Sequence, residues 1–275
     1  MDIASLFGII VGLGAIITAY IFDGGHVVSL LSPSAAMIVI GGGLGAICMA
    51  FGFDRLKQFP KTFFELFKSP KSTISQTIEY LIELAKTARQ NGLLSLERAV
   101  TEGDATGKLD PFLKRGILMV VDGTEPERIN DILQNDIYVY EQNKRGNISM
   151  LESLGGFGPA LGMIGTLTGL VHVLSGGMAS PDSMTHAIGT AFVATLYGVL
   201  LANLIFLPGA TKLKGRLGAY RLEKEMIIEG VCAIRNGVNP RMLEEQLSTY
   251  LILDPSTQAR QKMQYGSARG RSSDA

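Results

Sequence analysis

Four stretches of the chain run without a single Asp, Glu, Lys or Arg: residues 3–22, 33–53, 153–175 and 187–207. Each is longer than the ~18 residues needed to cross a hydrocarbon core about 30 Å thick as an α-helix. A cleaved signal peptide fits the first stretch poorly, because no Lys or Arg precedes it and a second apolar stretch follows closely. A buried hairpin inside a large soluble core is the alternative for the last two, but four such stretches together are hard to bury outside a membrane.

Between and after these stretches the pattern changes to a helical stripe. Ile74, Ile78, Leu81, Ile82, Ala85 and Ala88 recur mostly every three or four positions, an amphipathic helix that Asn91-Gly92 should end. A short helix is expected from Ser95, with Glu97 and Arg98 in its first turn, followed by turns at Gly103-Asp104 and Gly107. Pro111 should open an apolar helix reaching Val121. Thr124-Glu125-Pro126-Glu127 then supplies an N-cap with acids in the first turn. From there Ile129, Ile132, Leu133, Ile137 and Tyr140 carry a stripe toward Ile148, so one helix is expected to run on into the third apolar stretch. Lys212, Lys214, Arg216 and Arg221 predict a basic helix continuing past the fourth. The end of the chain from Asp254, rich in Ser, Gln and Arg, reads as disordered.

Composition agrees with a membrane protein. The 275 residues carry 18% charged side chains, against about 25% in an average soluble domain, and mean hydropathy is +0.25. Lys plus Arg and Asp plus Glu are 25 each, with pI near 6.8, so nucleic acid is not an expected partner. Glycine, at 33 residues, is abundant, as helices packed closely in lipid require. Two cysteines, Cys48 and Cys232, make no disulfide framework.

All 25 Lys and Arg lie either within residues 54–147 or after Leu207. Cytoplasmic segments collect basic residues, so both regions are expected in the cytoplasm, the two short hairpin loops outside, and both termini inside. The fold class is therefore an all-α integral membrane protein with four transmembrane helices and a large helical cytoplasmic domain. Its expected divisions are a peripheral hairpin (1–53), a cytoplasmic helical domain (54–147), a second, pore-side hairpin (148–211), and a cytoplasmic C-terminal helix and tail (212–275).

The apolar stretches contain no ionisable carboxylate, which an ion relay ordinarily needs at membrane depth. Either the chain moves no ions or a partner helix brings the acid. Asp23, Asp182, His26, His172 and His186 lie near the outer face, where loop or interfacial positions account for them. Thr166 and Thr195, on two different spans, each stand about 20 Å from the cytoplasmic edge at 1.5 Å per residue. Each could bond its own backbone four residues back, or the two could solvate a cation or orient a partner's carboxyl group. Pro159 and Pro208 lie near the inner edges of their spans, where a missing N–H permits a kink or hinge. In the first hairpin, Gly8-x-x-x-Gly12 and Gly41-x-x-x-Gly45 are expected to let helices approach closely. No metal-ligand or hydrolase motif stands out, and neither an enzyme nor a cofactor is expected.

At the last two spans the sequence becomes specific. Ala191-Phe192-Val193-Ala194-Thr195-Leu196-Tyr197-Gly198-Val199-Leu200 with Pro208 beyond, and Gly158-Pro159-Ala160-Leu161-Gly162-Met163-Ile164-Gly165-Thr166-Leu167, resemble the pore motifs of the MotA family of flagellar stator subunits, within the wider MotA/TolQ/ExbB ion-channel family. The resemblance covers essentially the whole chain. It implies a homopentamer in the cytoplasmic (inner) membrane around a dimer of MotB, whose transmembrane Asp supplies the missing acid. By position, Thr166 and Thr195 match the family's pore-facing threonines and Pro159 and Pro208 its coupling prolines. The run Ala88-Arg89-Gln90-Asn91-Gly92-Leu93-Leu94-Ser95-Leu96-Glu97 resembles the segment that contacts the rotor protein FliG, with Arg89 and Glu97 at the charged positions. Read without the resemblance, those two charges are a solvated helix face.

The resemblance thus implies conversion of ion-motive force into torque. Protons are the favoured ion, and Thr166 keeps Na⁺ open, because proton-driven members often carry a small apolar residue at one of these places. The alternatives are an ExbB- or TolQ-like energiser of an envelope complex, disfavoured by the four spans, and a membrane scaffold without ion flux.

Overall fold

The computed structural model describes residues 2–68, 74–105, 109–175 and 181–253, without the side chains of 103–105, 181–183, 186, 252 and 253. The described residues are helical almost throughout. In order they form α1 (Ile3–Phe22), a 3₁₀ turn (Val27–Leu30), α2 (Pro33–Ala36), a π-helical segment (Met37–Gly41), α3 (Gly42–Leu56), α4 (Phe59–Glu65), α5 (Ile74–Asn91), α6 (Ser95–Ala105), α7 (Pro111–Val121) and α8 (Pro126–Ser175). Then come α9 (Pro181–Leu200), a second π segment (Leu201–Phe206), α10 (Leu207–Arg235), α11 (Pro240–Ser248) and a 3₁₀ turn (Thr249–Leu253). Four helical stretches are long and apolar enough to cross a membrane.

Local chemistry sets many of the boundaries. Ser32-Pro33, Asp110-Pro111 and Asn239-Pro240 each place a capping side chain before a proline at the first helical position, where its missing N–H costs nothing. The Asp110 carboxylate accepts from Phe112 N at 2.8 Å, and the Asn239 amide oxygen from Arg241 N at 3.1 Å. α3 bends at Gly52, whose φ of 73° and ψ of 170° interrupt the helix, a conformation side-chain-bearing residues avoid. The π segment before α10 has a local reason. Pro208 has no N–H and its ring would crowd the carbonyl four residues back. The wider turn, in which Leu207 N donates to Ala202 O, accommodates it.

The chain divides into two compact units, residues 1–69 with 143–215 and residues 70–142 with 216–275. In the first unit α1 buries none of its residues within the chain, and Phe7, Ile10 and Phe22 are exposed, as a lipid-facing helix would have them. α3 packs on α8 through Ile47, Met150 and Leu154. Charges at one end are paired: Lys144 with Glu65 at 2.9 Å, Lys212 with Asp2, and Lys214 with Glu152.

In the second unit, helix faces converge on one apolar core. α5 contributes Ile78, Leu81 and Leu84, α7 Leu113 and Ile117, α8 Ile129 and Leu133, α10 Ile227 and Val231, and α11 Leu243 and Leu247. Each fully buried Leu or Ile contributes about 2 kcal/mol by removal from water. Lys224 is buried in this unit against Asp110, its ammonium 5.0 Å from the Tyr220 ring centre and 5.6 Å from that of Phe112. Tyr220 in turn stacks on Tyr140.

Several sequence expectations need correction. Gly103-Asp104 is no turn, because α6 continues to Ala105. A glycine costs a helix only ~1 kcal/mol, and Leu96 and Val100 anchor this one in the core. α8 starts one residue later than the Thr124 cap implied: Pro126 takes the first position and Ile129 N donates to Glu125 O. The helix of the fourth span begins at Pro181, ahead of residue 187. Among the described residues, the close approach expected at the two Gly-x-x-x-Gly motifs occurs at Gly12 alone. A methyl added at Gly8, Gly41 or Gly45 would meet nothing within 4 Å, and only Gly12 meets a neighbour, Leu204. The expectations at Gly107 and from Asp254 onward lie outside the described residues, as do those at the Asp182 and His186 side chains.

Candidate ion-pathway site

The backbones of α8 and α9 approach so closely that almost no side chain fits between them. Gly158, Gly162, Gly165 and Gly169 lie at helical spacing on one face of α8. A Cβ on Gly158 would stand 2.7 Å from Gly198 O, one on Gly162 2.8 Å from Thr195 Cα, and one on Gly169 2.6 Å from Ala191 Cβ. Real Cβ atoms essentially never come that close, so Gly is required along this seam. Membrane helices meet this way because lipid gives little hydrophobic drive and van der Waals contact must hold them. The spacing is visible in the sequence, as it is for the first hairpin's glycines, and only the packing distinguishes the two.

That contact brings Thr166 and Thr195 together. Their hydroxyl oxygens touch, both half-buried. Thr195 Oγ1 donates across to Gly162 O at 3.1 Å, and Thr166 Oγ1 lies 3.2 Å from both Gly162 O and Ala191 O. Each hydroxyl has one proton and two lone pairs. With Thr166 donating to Thr195 and Thr195 to Gly162, unused lone pairs on the two oxygens remain to accept from a protonated carboxyl group or to ligate a cation. The carbonyl four residues back, the alternative partner of each threonine, is within reach of Thr166 and competes with the interhelical contact for its one proton.

Tyr197, two residues further on, fastens this hairpin to the loop before α2. Its hydroxyl donates to Leu30 O at 2.7 Å and accepts from Ser32 N at 3.3 Å. No periodicity points to that bond, because its partners are some 165 residues away. Pro159 lies inside α8, half-buried, and Pro208 is exposed at the second position of α10. Leu207, next to Pro208, packs onto Gly155, one turn before Pro159.

Arg89 and Glu97 fall in the other unit, on either side of the turn between α5 and α6. Gly92, at φ 82°, makes that turn, and Ser95 Oγ donates to its carbonyl at 2.6 Å. Both charged side chains are exposed, and neither forms an ion pair among the described residues. The neighbouring Arg98 pairs with Glu102 at 2.8 Å. Among the described residues no cluster of His, Cys, Asp and Glu could hold a metal ion.

Four apolar spans, a glycine seam and a hydroxyl pair define a multi-pass membrane protein with a polar level inside one hairpin. Residues 104–226 match the MotA/TolQ/ExbB proton channel family, and residues 6–92 match the motility protein A N-terminal family. Motility protein A of Bacillus subtilis is 35% identical over 91% of this chain and 91% of its own length. Chemotaxis protein PomA of Vibrio alginolyticus is 32% identical over 91% and 96%. The flagellar MotAB stator complex structure from Bacillus subtilis superposes with a TM-score of 0.84 at 34% identity, covering 95% of this chain and 99% of that one. The chain belongs to the motility protein A branch of the MotA/TolQ/ExbB proton channel family: it is a MotA/PomA-type flagellar stator subunit, a membrane protein of a non-enzymatic family.

Proposed function

We propose that the chain conducts ions together with a MotB dimer and converts their flow into torque. The observation that carries this is the Thr166–Thr195 hydroxyl pair standing in spans that hold no carboxylate. The transmembrane Asp of MotB supplies the acid. At the level of the two threonines an ion neutralises that Asp, which lowers the cost of moving it through low dielectric. Release to the cytoplasm restores the charge, and a pentamer of these chains steps around the MotB dimer. MotB as partner is supported by the likeness to a solved MotAB complex.

Pro159 and Pro208 act as hinges that couple the spans to the cytoplasmic segment, and Arg89 and Glu97 present charges to FliG on the rotor. The confinement of basic residues to 54–147 and to the stretch after Leu207 supports a cytoplasmic location for those regions and both termini, with the protein in the inner membrane. The divisions 1–53, 54–147, 148–211 and 212–275 then correspond to the peripheral hairpin, torque-transmitting domain, pore-side hairpin and C-terminal helix with tail.

Protons are the favoured ion. Sodium is a second reading that Thr166 and the likeness to PomA both support; swimming speed with Na⁺ removed at fixed pH separates them. The double variant Thr166→Val, Thr195→Val should insert normally yet abolish swimming. Normal motility overturns the site.

A further inference from the structure

The outer half of the second hairpin carries a feature that a pair of touching threonines does not need. A cleft of about 650 Å³ opens between α2, α8 and α9, all within the first compact unit. On α8 its wall is Gly165, Thr168, Gly169 and His172, spaced as one helical face, and Ser34 and Thr190 face it from α2 and α9. Most of the other exposed surface of α8 over residues 163–174 is apolar: Met163, Ile164, Leu167, Val171 and Leu174. One helix thus shows two faces at membrane depth, a greasy one and one of small and polar residues.

Ile38 and several alanines complete the wall, and the hydroxyls and the imidazole are the groups on it that can hold water, which a wall of apolar groups alone would not. The volume far exceeds the ~10–15 Å³ that a single water needs. Thr168 gives its proton to Gly165 O at 3.0 Å, so its oxygen offers lone pairs to the cleft. The inner end is formed by Gly165 and Ala194, the residues adjacent to Thr166 and Thr195. His172 stands about 9 Å farther along the helix than Thr166, at 1.5 Å per residue.

We propose that this cleft is a water-filled path, contained within a single chain, by which a small monovalent cation reaches the Thr166–Thr195 level from the outer side. The path rests on the ion-conducting reading above, and on the orientation that puts the α8–α9 connection outside. It adds a specific route, bounded by α2, and a set of residues that line it: Ser34, Thr168, His172 and Thr190.

The test is thiol accessibility in the assembled stator complex in intact cells, in a Cys48→Ser, Cys232→Ser background. Thr168→Cys and Ala187→Cys, both in the cleft, are exposed to a membrane-impermeant cationic methanethiosulfonate reagent added from outside. Leu167→Cys, on the apolar face of α8, is the control. The cleft thiols should react at least tenfold faster than the control, and their modification should stop rotation. Equal rates at cleft and control positions, or reaction only in inverted vesicles, overturn the path. Its failure is distinguishable from failure of the ion site. Reactive cleft thiols with normal swimming of the Thr166→Val, Thr195→Val variant sink the site and leave a wet cleft. Unreactive thiols with a paralysed double variant keep the site and refute this route.

Discussion

Thr195 on α9 donates its hydroxyl proton to the carbonyl of Gly162 on α8, 3.1 Å away. The bond exists because Gly162 has no side chain to hold the helices apart: a Cβ there would stand 2.8 Å from Thr195 Cα and 2.9 Å from Ala194 O. The polar pair and the glycine seam are therefore one construction, and they can be separated by substitution.

Thr195→Val should cost little stability, about 1 kcal/mol, because Thr166 still reaches the Gly162 carbonyl. Swimming should nonetheless fall steeply, whereas Thr195→Ser, which keeps the oxygen, should swim at a large fraction of wild-type speed. A Ser variant as impaired as the Val variant would show that shape, and not the hydroxyl, matters at this level.

Along the seam, Gly162→Ala and Gly158→Ala drive a methyl against backbone atoms of α9, which cannot yield as a flexible side chain could. Overpacking of this kind costs about 1–3 kcal/mol. Thermal melting in detergent should show a drop of several degrees for both. Gly41→Ala, with nothing within 4 Å among the described residues, should melt like wild type.

Asp110 has two tasks in the second unit, capping α7 through Phe112 N and pairing with buried Lys224. Asp110→Ala removes the cap and leaves a cation in a poorly solvated site. The expected loss is about 2–3 kcal/mol. Lys224→Met should cost less, since its alkyl stem can still cover Phe112 and Tyr220. If the two variants melt alike, the pair is not the source of the effect.

Charge reversal at Arg89 and Glu97 should leave the melting temperature unchanged, since both side chains are exposed and unpaired among the described residues. Torque on a tethered cell should fall while ion flow through the complex persists. Unchanged torque removes these two residues from the rotor contact.

Burial pushes the Tyr220 phenol up to about 12, with the Tyr140 phenol and nearby carboxylates adding to the shift. Tyr250 is raised to about 12 as well, by burial and then by its hydrogen bond to Glu229. Both are neutral in the folded chain at pH values where an unfolded tyrosine has ionised. Their contribution is fully present below about pH 10 and is lost as pH rises through about 12. Tyrosinate absorbance should show a late component near pH 12 that Tyr220→Phe diminishes. A single transition near pH 10 would contradict it.

The four spans, the uninterrupted α8 and the stripe on α5 were all legible in the chain, because each depends on spacing alone: helical periods of apolar residues and the length of uncharged stretches. So was the turn at Gly92, where local φ decides. Thr166 and Thr195 could be matched in depth by counting residues, since helix rise is constant. That they touch could not be counted. It depends on which faces of two helices meet, and glycines at 8 and 12 look the same in a sequence as glycines at 158 and 162.

The chain by itself thus determined what must lie in lipid and at what depth, because hydrophobic transfer and helix geometry act locally along it. Tertiary structure alone decided the glycine seam, the Tyr197 bond to Leu30, the burial of Lys224 beside Asp110 and the cleft behind Thr168. Each of these is a relation between surfaces distant in sequence, and close packing selects such a relation only when whole helices find the one alignment that leaves neither overlap nor void.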